Sequence, residues 1–166
     1  MLKKIEPKSF IHINIATQTL SLLVEGKTHR SYSVSTGKNG PGEIAGSECT
    51  PRGWHKIRAK IGADLAINTV FVGRRPTGEI FTADFKKEFP KRDWILSRIL
   101  WLSGLEPGYN RLGNKDTMRR YIYIHGCPDD EPMGIPESHG CVRMRNSDIV
   151  ELFDVVVPGH PVLIEE

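Results

Sequence analysis

The chain has 166 residues, of which 39% are hydrophobic and 26% charged, with 16 glycines and 11 prolines. This length suits one domain with its own core, and the composition excludes a disordered chain and a disulfide-rich mini-scaffold. The net charge of +3 is too small to indicate a nucleic-acid partner. No apolar run approaches the length that spans a bilayer, so no membrane insertion is expected.

The first third of the chain has the alternating pattern of β-strands. Apolar and polar residues alternate over 10–15 and again over 20–24, with a short polar segment between the two runs. This period of two predicts strands joined by hairpins, and a third strand is predicted over 28–36. The segment 37–53 is rich in glycine, proline, serine and threonine, which predicts a long surface loop of the kind that often carries function.

The rest of the chain combines further strands with short helices. Strands are predicted over 54–57, 66–72, 121–124 and 161–164, with a turn over 73–76. Apolar residues recur at helical spacing over 90–103 until Gly104, which predicts an amphipathic helix. A second short helix is predicted through Phe153, with Asn146 or Ser147 as its N-terminal cap. These elements predict one mostly β domain with one or two short helices.

Cysteine usage and the N-terminal residues bear on the compartment. Cys49, Cys127 and Cys141 are odd in number, which argues against a disulfide framework and leaves a free, reactive thiol. The basic residues near Met1 are not followed by the apolar stretch of an export signal, so a cytoplasmic location is expected.

One segment near the end of the chain combines residues suited to nucleophilic catalysis. His125-Gly126 follows the strand predicted over 121–124, and Ser138-His139-Gly140-Cys141-Val142-Arg143-Met144 comes twelve residues later. A thiolate is a strong nucleophile, and a nearby imidazole removes the thiol proton and lowers its pKa. The flanking glycines let a substrate approach the backbone closely. These features predict a thiolate–imidazolium pair.

These residues resemble the signature of the YkuD-type L,D-transpeptidase catalytic domain. That signature is His-Gly, a spacer, and then Ser/Thr-His-Gly-Cys-Val/Ile-Arg-Met/Leu. The segments Ser35-Thr36-Gly37-Lys38 and Thr50-Pro51-Arg52-Gly53 also resemble family motifs, as does 158–164. The resemblance implies a β-sandwich-like fold and a single catalytic domain over residues 1–166.

The resemblance implies a role for each residue of the pair. Cys141 would be the acylated nucleophile. His125 would be the base, held in one tautomer by a backbone carbonyl near Gly126, and Gly126 itself would border the substrate.

The loop before the nucleophile would form the rest of the site. The resemblance implies that His139, Gly140 and Cys141 line the oxyanion site. Ser138 and Arg143 would either support the loop or bind the terminal carboxylate of the substrate.

The implied substrate is a peptidoglycan stem tetrapeptide or a muropeptide that carries one. Cys141 would attack the carbonyl of the diamino acid, terminal D-Ala would leave, and a thioester would form. Water would complete an L,D-carboxypeptidase reaction, whereas an amine from another stem would complete a transpeptidase reaction with a 3→3 cross-link. A cytoplasmic enzyme meets precursors and recycled muropeptides, which favours the carboxypeptidase. A catalytically silent wall-binding domain is a third hypothesis, against which the intact His125 and Cys141 pair counts.

A zinc site is the rival interpretation of the same residues. His125 and Cys127, together with His139 and Cys141, offer four nitrogen and sulfur ligands. Structural zinc sites normally space their paired ligands further apart, so a metal is not expected. No cofactor is implied, and the oligomeric state is left open.

Overall fold

The computed structural model describes residues 6–166 and shows a mostly β chain with short helices, as predicted. In chain order the elements are β1 (Ser9–Asn14), β2 (Thr19–Val24), β3 (Lys27–Ser33), β4 (Gly53–Ile61), β5 (Thr69–Val72), β6 (Arg75–Ile80), α1 (Ala83–Glu88), β7 (Ile95–Gly104), a 3-10 turn (Gly113–Lys115), β8 (Tyr123–Cys127), β9 (Val142–Arg145), α2 (Asn146–Val155) and β10 (Pro161–Glu165). Among the described residues no helix is long and apolar enough to cross a bilayer.

The ten strands form one continuous hydrogen-bonded sheet. Its main path runs β3-β2-β1-β10-β4-β7-β5-β6, and β8 leaves this path by pairing with β7 and with β9. Most neighbours are antiparallel, but β1 pairs with β10 and β8 pairs with β9 in parallel. The parallel β8–β9 pair positions the site, because it brings the two catalytic motifs side by side.

The main core lies between the sheet and α2. Alternate residues of the strands point into it, as in β1, where Ile11 and Ile13 are fully buried. Ile149, Leu152 and Phe153 of α2 pack into the same core. Each fully buried Leu, Ile or Phe side chain contributes roughly 1.5–3 kcal/mol to folding.

The prediction of a helix over 90–103 is wrong, because residues 95–104 form the central strand β7. This strand pairs with β4, β5 and β8 and is largely buried on both faces, so apolar residues do not alternate along it as they do on a half-exposed strand. The register shifts between Leu96 and Ile99, where Ser97 has φ of 71°. This bulge inserts extra residues into the alternation and produces spacings of three that imitate a helix.

The predicted elements also differ from the structure in extent. The segment after the 73–76 turn forms β6, and α1 begins after Thr82; neither element was predicted, nor was β9. The second helix was predicted at nearly the right place, but Arg145 precedes it without a side-chain cap. The Asn146 side chain instead bonds within the protein, accepting from Ser97 Oγ at 2.7 Å and donating to Asn68 Oδ1 at 2.9 Å.

Candidate active site

The parallel pair β8–β9 brings His125 and Cys141 to one face of the sheet. His125 lies opposite Arg143 in the ladder, and Cys141 immediately precedes β9. Side chains two residues apart on a strand share a face, so His125, Arg143 and Cys141 lie on the same side. The intervening Ile124 and Val142 point into the main core.

The His125 ring is buried and fixed by one backbone carbonyl. The residue is 1% exposed, and Nδ1 lies 2.7 Å from the carbonyl oxygen of Gly126. That contact assigns the proton to Nδ1 and leaves Nε2 unprotonated, as a general base requires. Burial lowers the pKa of His125 below its ordinary value, although the Asp93 charge and the Gly126 carbonyl partly oppose this effect.

The thiol of Cys141 lies against the backbone that leads into β8. The Tyr123 N–H donates to Sγ at 3.3 Å, and Sγ lies 3.5 Å from the carbonyl oxygen of Tyr121. Burial raises the pKa of Cys141 to about 12, and the Tyr123 N–H and the charges of Arg143 and Arg120 act in the opposite direction.

Both shifts favour the uncharged forms of the pair in the free protein. A raised thiol pKa and a lowered imidazole pKa each favour the neutral form at pH 7. This differs from the thiolate–imidazolium pair that the sequence suggested, and desolvation is the reason. Proton transfer to His125 then accompanies attack on the substrate, as it does for a serine–histidine pair.

The turn before the nucleophile is held by Ser138. This side chain is buried, its hydroxyl donates to the carbonyl oxygen of Cys141, and it accepts from the Gly140 N–H at 3.2 Å. The Gly140 N–H is therefore engaged and does not serve as a free oxyanion donor. Ser138 therefore supports this turn, and its alternative role, binding of the substrate carboxylate, stays a prediction.

Gly140 is required by its conformation and by its surroundings. Its φ is 121°, and a Cβ there would lie 3.0 Å from the carbonyl oxygen of Cys49. The Thr50 hydroxyl donates to the Gly140 carbonyl at 2.9 Å and accepts from the Gly37 N–H at 2.8 Å. The long loop 37–53, predicted to be functional, thus packs directly against the turn that carries Cys141.

Arg143 is engaged by an acidic partner, Asp93. The Arg143 guanidinium is 11% exposed and lies 3.1 Å from Asp93 Oδ1, while His139 Nδ1 lies 3.6 Å from Asp93 Oδ2. Burial tends to raise the pKa of Asp93, but the charges of His125, Arg143 and His139 together lower it. Of the two roles considered for Arg143, the ion pair favours support of the loop.

Gly126 and Cys127 are packed inside the protein. A Cβ at Gly126 would lie 2.5 Å from the carbonyl oxygen of Leu96, so this glycine permits close strand packing, and its place beside the substrate stays a prediction. The Cys127 thiol donates to the Met144 carbonyl at 3.3 Å, and burial raises its pKa to about 12. Within residues 6–166 no group of three His, Cys, Asp or Glu side chains is placed to hold a metal ion.

His139 is the exposed member of the predicted site and lies between two clefts. The Asp93 cleft, about 170 Å³ in volume, is lined by residues that include Lys91, Asp93, Cys127, His139 and Arg143. The Tyr121 cleft, about 260 Å³, is lined by residues that include Glu48, Arg120, Tyr121, Ile122 and His139. The His139 side chain thus separates two clefts that both border the turn before Cys141.

Asp93 and Arg120 belong to the site but were missed in the sequence. Arg120 is half-buried, donates to the Cys49 carbonyl at 2.6 Å, and its charge lowers the pKa of Cys141. Asp93 lies just before β7 but inside the helix that was predicted over 90–103. In the first turn of such a helix, an aspartate is common and does not indicate a functional site. Neither residue lies in a motif that marks it.

Residues 8–164 match the YkuD family, described as the L,D-transpeptidase catalytic domain. YqjB of Bacillus subtilis strain 168, provisionally named an L,D-transpeptidase, is 26% identical over 157 residues, which are 95% of this chain and 71% of YqjB.

Two solved structures illustrate the similarity of fold. An L,D-transpeptidase from Mycobacterium smegmatis has a TM-score of 0.57 and 18% identity, with 96% of this chain and 59% of that chain covered. L,D-transpeptidase 3 from Mycobacterium tuberculosis, in complex with a faropenem-derived adduct, has a TM-score of 0.58 and 17% identity, covering 96% and 61%. The chain thus spans about three-fifths of the length of these structures.

Proposed function

Because the chain belongs to the YkuD family of L,D-transpeptidase catalytic domains, we propose that it is a cysteine enzyme acting on peptidoglycan stem peptides. The observation that supports this most directly is the placement of Cys141 and His125 on one face of the β8–β9 pair, with the unprotonated Nε2 left free by the Gly126 contact. This is the arrangement that acyl transfer through a thioester needs.

The proposed reaction cleaves the bond between the diamino acid and terminal D-Ala. His125 Nε2 takes the thiol proton as Sγ attacks the carbonyl of the diamino acid, and the tetrahedral intermediate collapses when that proton passes to the nitrogen of departing D-Ala. The product is a thioester on Cys141. His125 then takes a proton from the second nucleophile, which attacks the thioester and releases the peptide and the thiol.

We propose water as the second nucleophile, and therefore an L,D-carboxypeptidase that trims muropeptides in the cytoplasm. Cys49, Cys127 and Cys141 are all free thiols, which is typical of proteins in a reducing compartment. Substrates there are soluble fragments, not the assembled wall, so hydrolysis is the productive outcome.

A transpeptidase that forms 3→3 cross-links or exchanges terminal D-amino acids is the second candidate. It is favoured by one observation, the two clefts that meet at His139. One cleft could hold the acyl donor while an amine enters through the other.

Product analysis separates the two candidates. Disaccharide-tetrapeptide is incubated with the protein, with and without an added amine acceptor, and the products are identified by mass spectrometry. We expect tripeptide and free D-Ala with no dimer, even at high substrate concentration. A 3→3 dimer as the major product would establish the transpeptidase. Cys141→Ala should be inactive and Cys127→Ala active; no D-Ala release by the unmodified protein would contradict both candidates.

A further inference from the structure

A cluster of aromatic rings and guanidinium groups lies beside the nucleophile and takes no part in the steps above. Arg74, from the turn between β5 and β6, lies 4.3 Å from the ring centroid of Trp101 and 5.0 Å from that of Tyr121. Its Nη1 donates to the hydroxyl of Tyr123 at 3.0 Å. Three aromatic side chains therefore hold one guanidinium in place.

A second guanidinium shares the same indole ring. Arg58, on β4, lies 5.2 Å from the centroid of Trp101. The indole is itself fixed, because Trp101 Nε1 donates to the carbonyl oxygen of Met118 at 3.2 Å. Two positive charges are thus presented on one rigid aromatic platform.

Within residues 6–166, five of the twelve arginines form ion pairs with carboxylates, and these two are not among the five. Arg30, Arg52, Arg92, Arg143 and Arg145 each form an ion pair with a carboxylate. Within residues 6–166 neither Arg58 nor Arg74 does so. Their charges are consequently available to an anion from outside the protein.

One residue, Tyr123, connects the arginine cluster to the thiol of Cys141. Tyr123, whose hydroxyl accepts from Arg74, also donates its backbone N–H to Cys141 Sγ at 3.3 Å. Tyr121, whose ring stacks near Arg74, has its carbonyl oxygen 3.5 Å from the same sulfur. Trp101, Tyr123 and Cys141 pack in a single apolar cluster. An anion bound at Arg74 would therefore belong to the molecule that reacts at Cys141.

We propose that Arg74 and Arg58, stacked on Trp101, form a subsite for a carboxylate of the peptide whose carbonyl Cys141 attacks. A planar guanidinium binds a carboxylate through two parallel hydrogen bonds, and stacking on aromatic rings reduces the entropy lost when it does so. The exposed ring of Tyr121, 54% accessible, offers an apolar surface beside this charge for the rest of the peptide. This subsite rests on the proposed function, because it assigns a carboxylated peptide to the same active site.

The kinetic test compares Arg74→Gln with Arg75→Gln. Arg75 is the next residue, the first of β6; it is exposed and makes no hydrogen bond or ion pair through its side chain within the part of the chain described. The substrates are the tetrapeptide and a set of tetrapeptides in which each carboxylate in turn is a carboxamide. On the unmodified tetrapeptide, Arg74→Gln should lower kcat/KM about 10- to 100-fold, the loss expected for a hydrogen bond between charged groups. Arg75→Gln should lower it less than threefold.

For one of the amidated peptides, Arg74→Gln and the unmodified enzyme should have the same kcat/KM, because the carboxylate replaced in that peptide is the one that Arg74 binds. Equal losses on every peptide, or no loss on the tetrapeptide, would overturn the subsite while leaving the proposed function standing.

A binding measurement keeps the two proposals separable. Calorimetric titration of the tetrapeptide into Cys141→Ala, with and without Arg74→Gln, reports the subsite without turnover. We expect Arg74→Gln to raise Kd at least tenfold for the acid peptide only. If the enzyme released no D-Ala and this difference persisted, the proposed function would fail and the subsite would hold. Equal Kd values, or no binding to Cys141→Ala, would overturn the subsite.

Discussion

Asp93 controls the electrostatics of the reacting pair without touching either member. Its carboxylate neutralises Arg143 and raises the pKa values of both His125 and Cys141. Removing that charge leaves Arg143 as an uncompensated positive charge, which lowers both pKa values further. Asp93 is thus a positioning residue whose effect can be measured as a shift in pH dependence.

For Asp93→Asn we expect the acid limb of the kcat/KM profile to move to lower pH. In the unmodified enzyme this limb reports protonation of His125, and burial already places it below the ordinary histidine pKa of 6.5. Loss of the Asp93 charge should move it down on the order of half a pH unit, and kcat/KM at pH 7 should fall about tenfold as Arg143 is freed. Asp154→Asn, an exposed change on α2, is the control. Superimposable profiles for Asp93→Asn and the control would rule out this role.

At the level of elements, the loop 37–53 and the turn that carries Cys141 act as one unit through a buried hydroxyl. Thr50 is fully buried, and its hydroxyl accepts a hydrogen bond from the Gly37 N–H while it donates one to the Gly140 carbonyl. Thr50→Val keeps the shape but leaves a buried N–H and a buried carbonyl without partners, at a cost of about 1–3 kcal/mol for each unsatisfied group. The turn before Cys141 would then lose a restraint.

We therefore expect Thr50→Val to lower kcat at least tenfold and to lower the free energy of unfolding by about 2–6 kcal/mol, the sum for the two groups. Thr50→Ser, which keeps the hydroxyl, should retain most of the kcat and most of the free energy of unfolding. Urea denaturation and D-Ala release measure the two effects. If Thr50→Ser were as damaging as Thr50→Val, the methyl group and not the hydroxyl would be the important part.

The sequence predicted what a single segment contains and missed what distant segments contribute. Ser138, Gly140 and Cys141 form a recognisable motif because they lie in one turn, and His125 lies on the neighbouring strand opposite Arg143. Asp93 lies 50 residues before its partner Arg143 in the chain, and the residues next to it in sequence do not indicate that ion pair. The strand β7 was predicted as a helix because burial on both faces and a bulge removed the alternation by which strands are recognised. Local patterns cannot show which faces a sheet buries.

For the molecule as a whole, His55 makes stability depend on pH. Its ring is fully buried between the Gly53 carbonyl and the Thr117 hydroxyl, both 2.9 Å away. Burial lowers the pKa of His55 to about 4. Between pH 6.5 and 4 the unfolded chain therefore binds a proton that the folded protein does not, so stability is complete above pH 6.5 and falls as the pH decreases.

The expected loss is about 3 kcal/mol between pH 7 and pH 4, from a shift of about two and a half pKa units. His55→Gln should be less stable at pH 7 but should lose less stability over this interval, whereas His29→Gln, at an exposed position, should behave like the unmodified protein. Chemical denaturation at a series of pH values measures this. If the free energy of unfolding of His55→Gln fell with decreasing pH as steeply as that of the unmodified protein, groups other than His55 would cause the pH dependence.

The position of β10 in the sheet has a consequence for how the protein is made. This strand lies between β1 and β4, so the hairpins β1–β3 meet the rest of the main sheet through it. It is also the last of the ten strands to leave the ribosome. Until then, a nascent chain carries two open sheet edges that share no ladder, and such edges are prone to pair with other chains. Ribosome-bound chains that stop short of Pro161 should therefore depend on chaperones until the final five strand residues join the two parts.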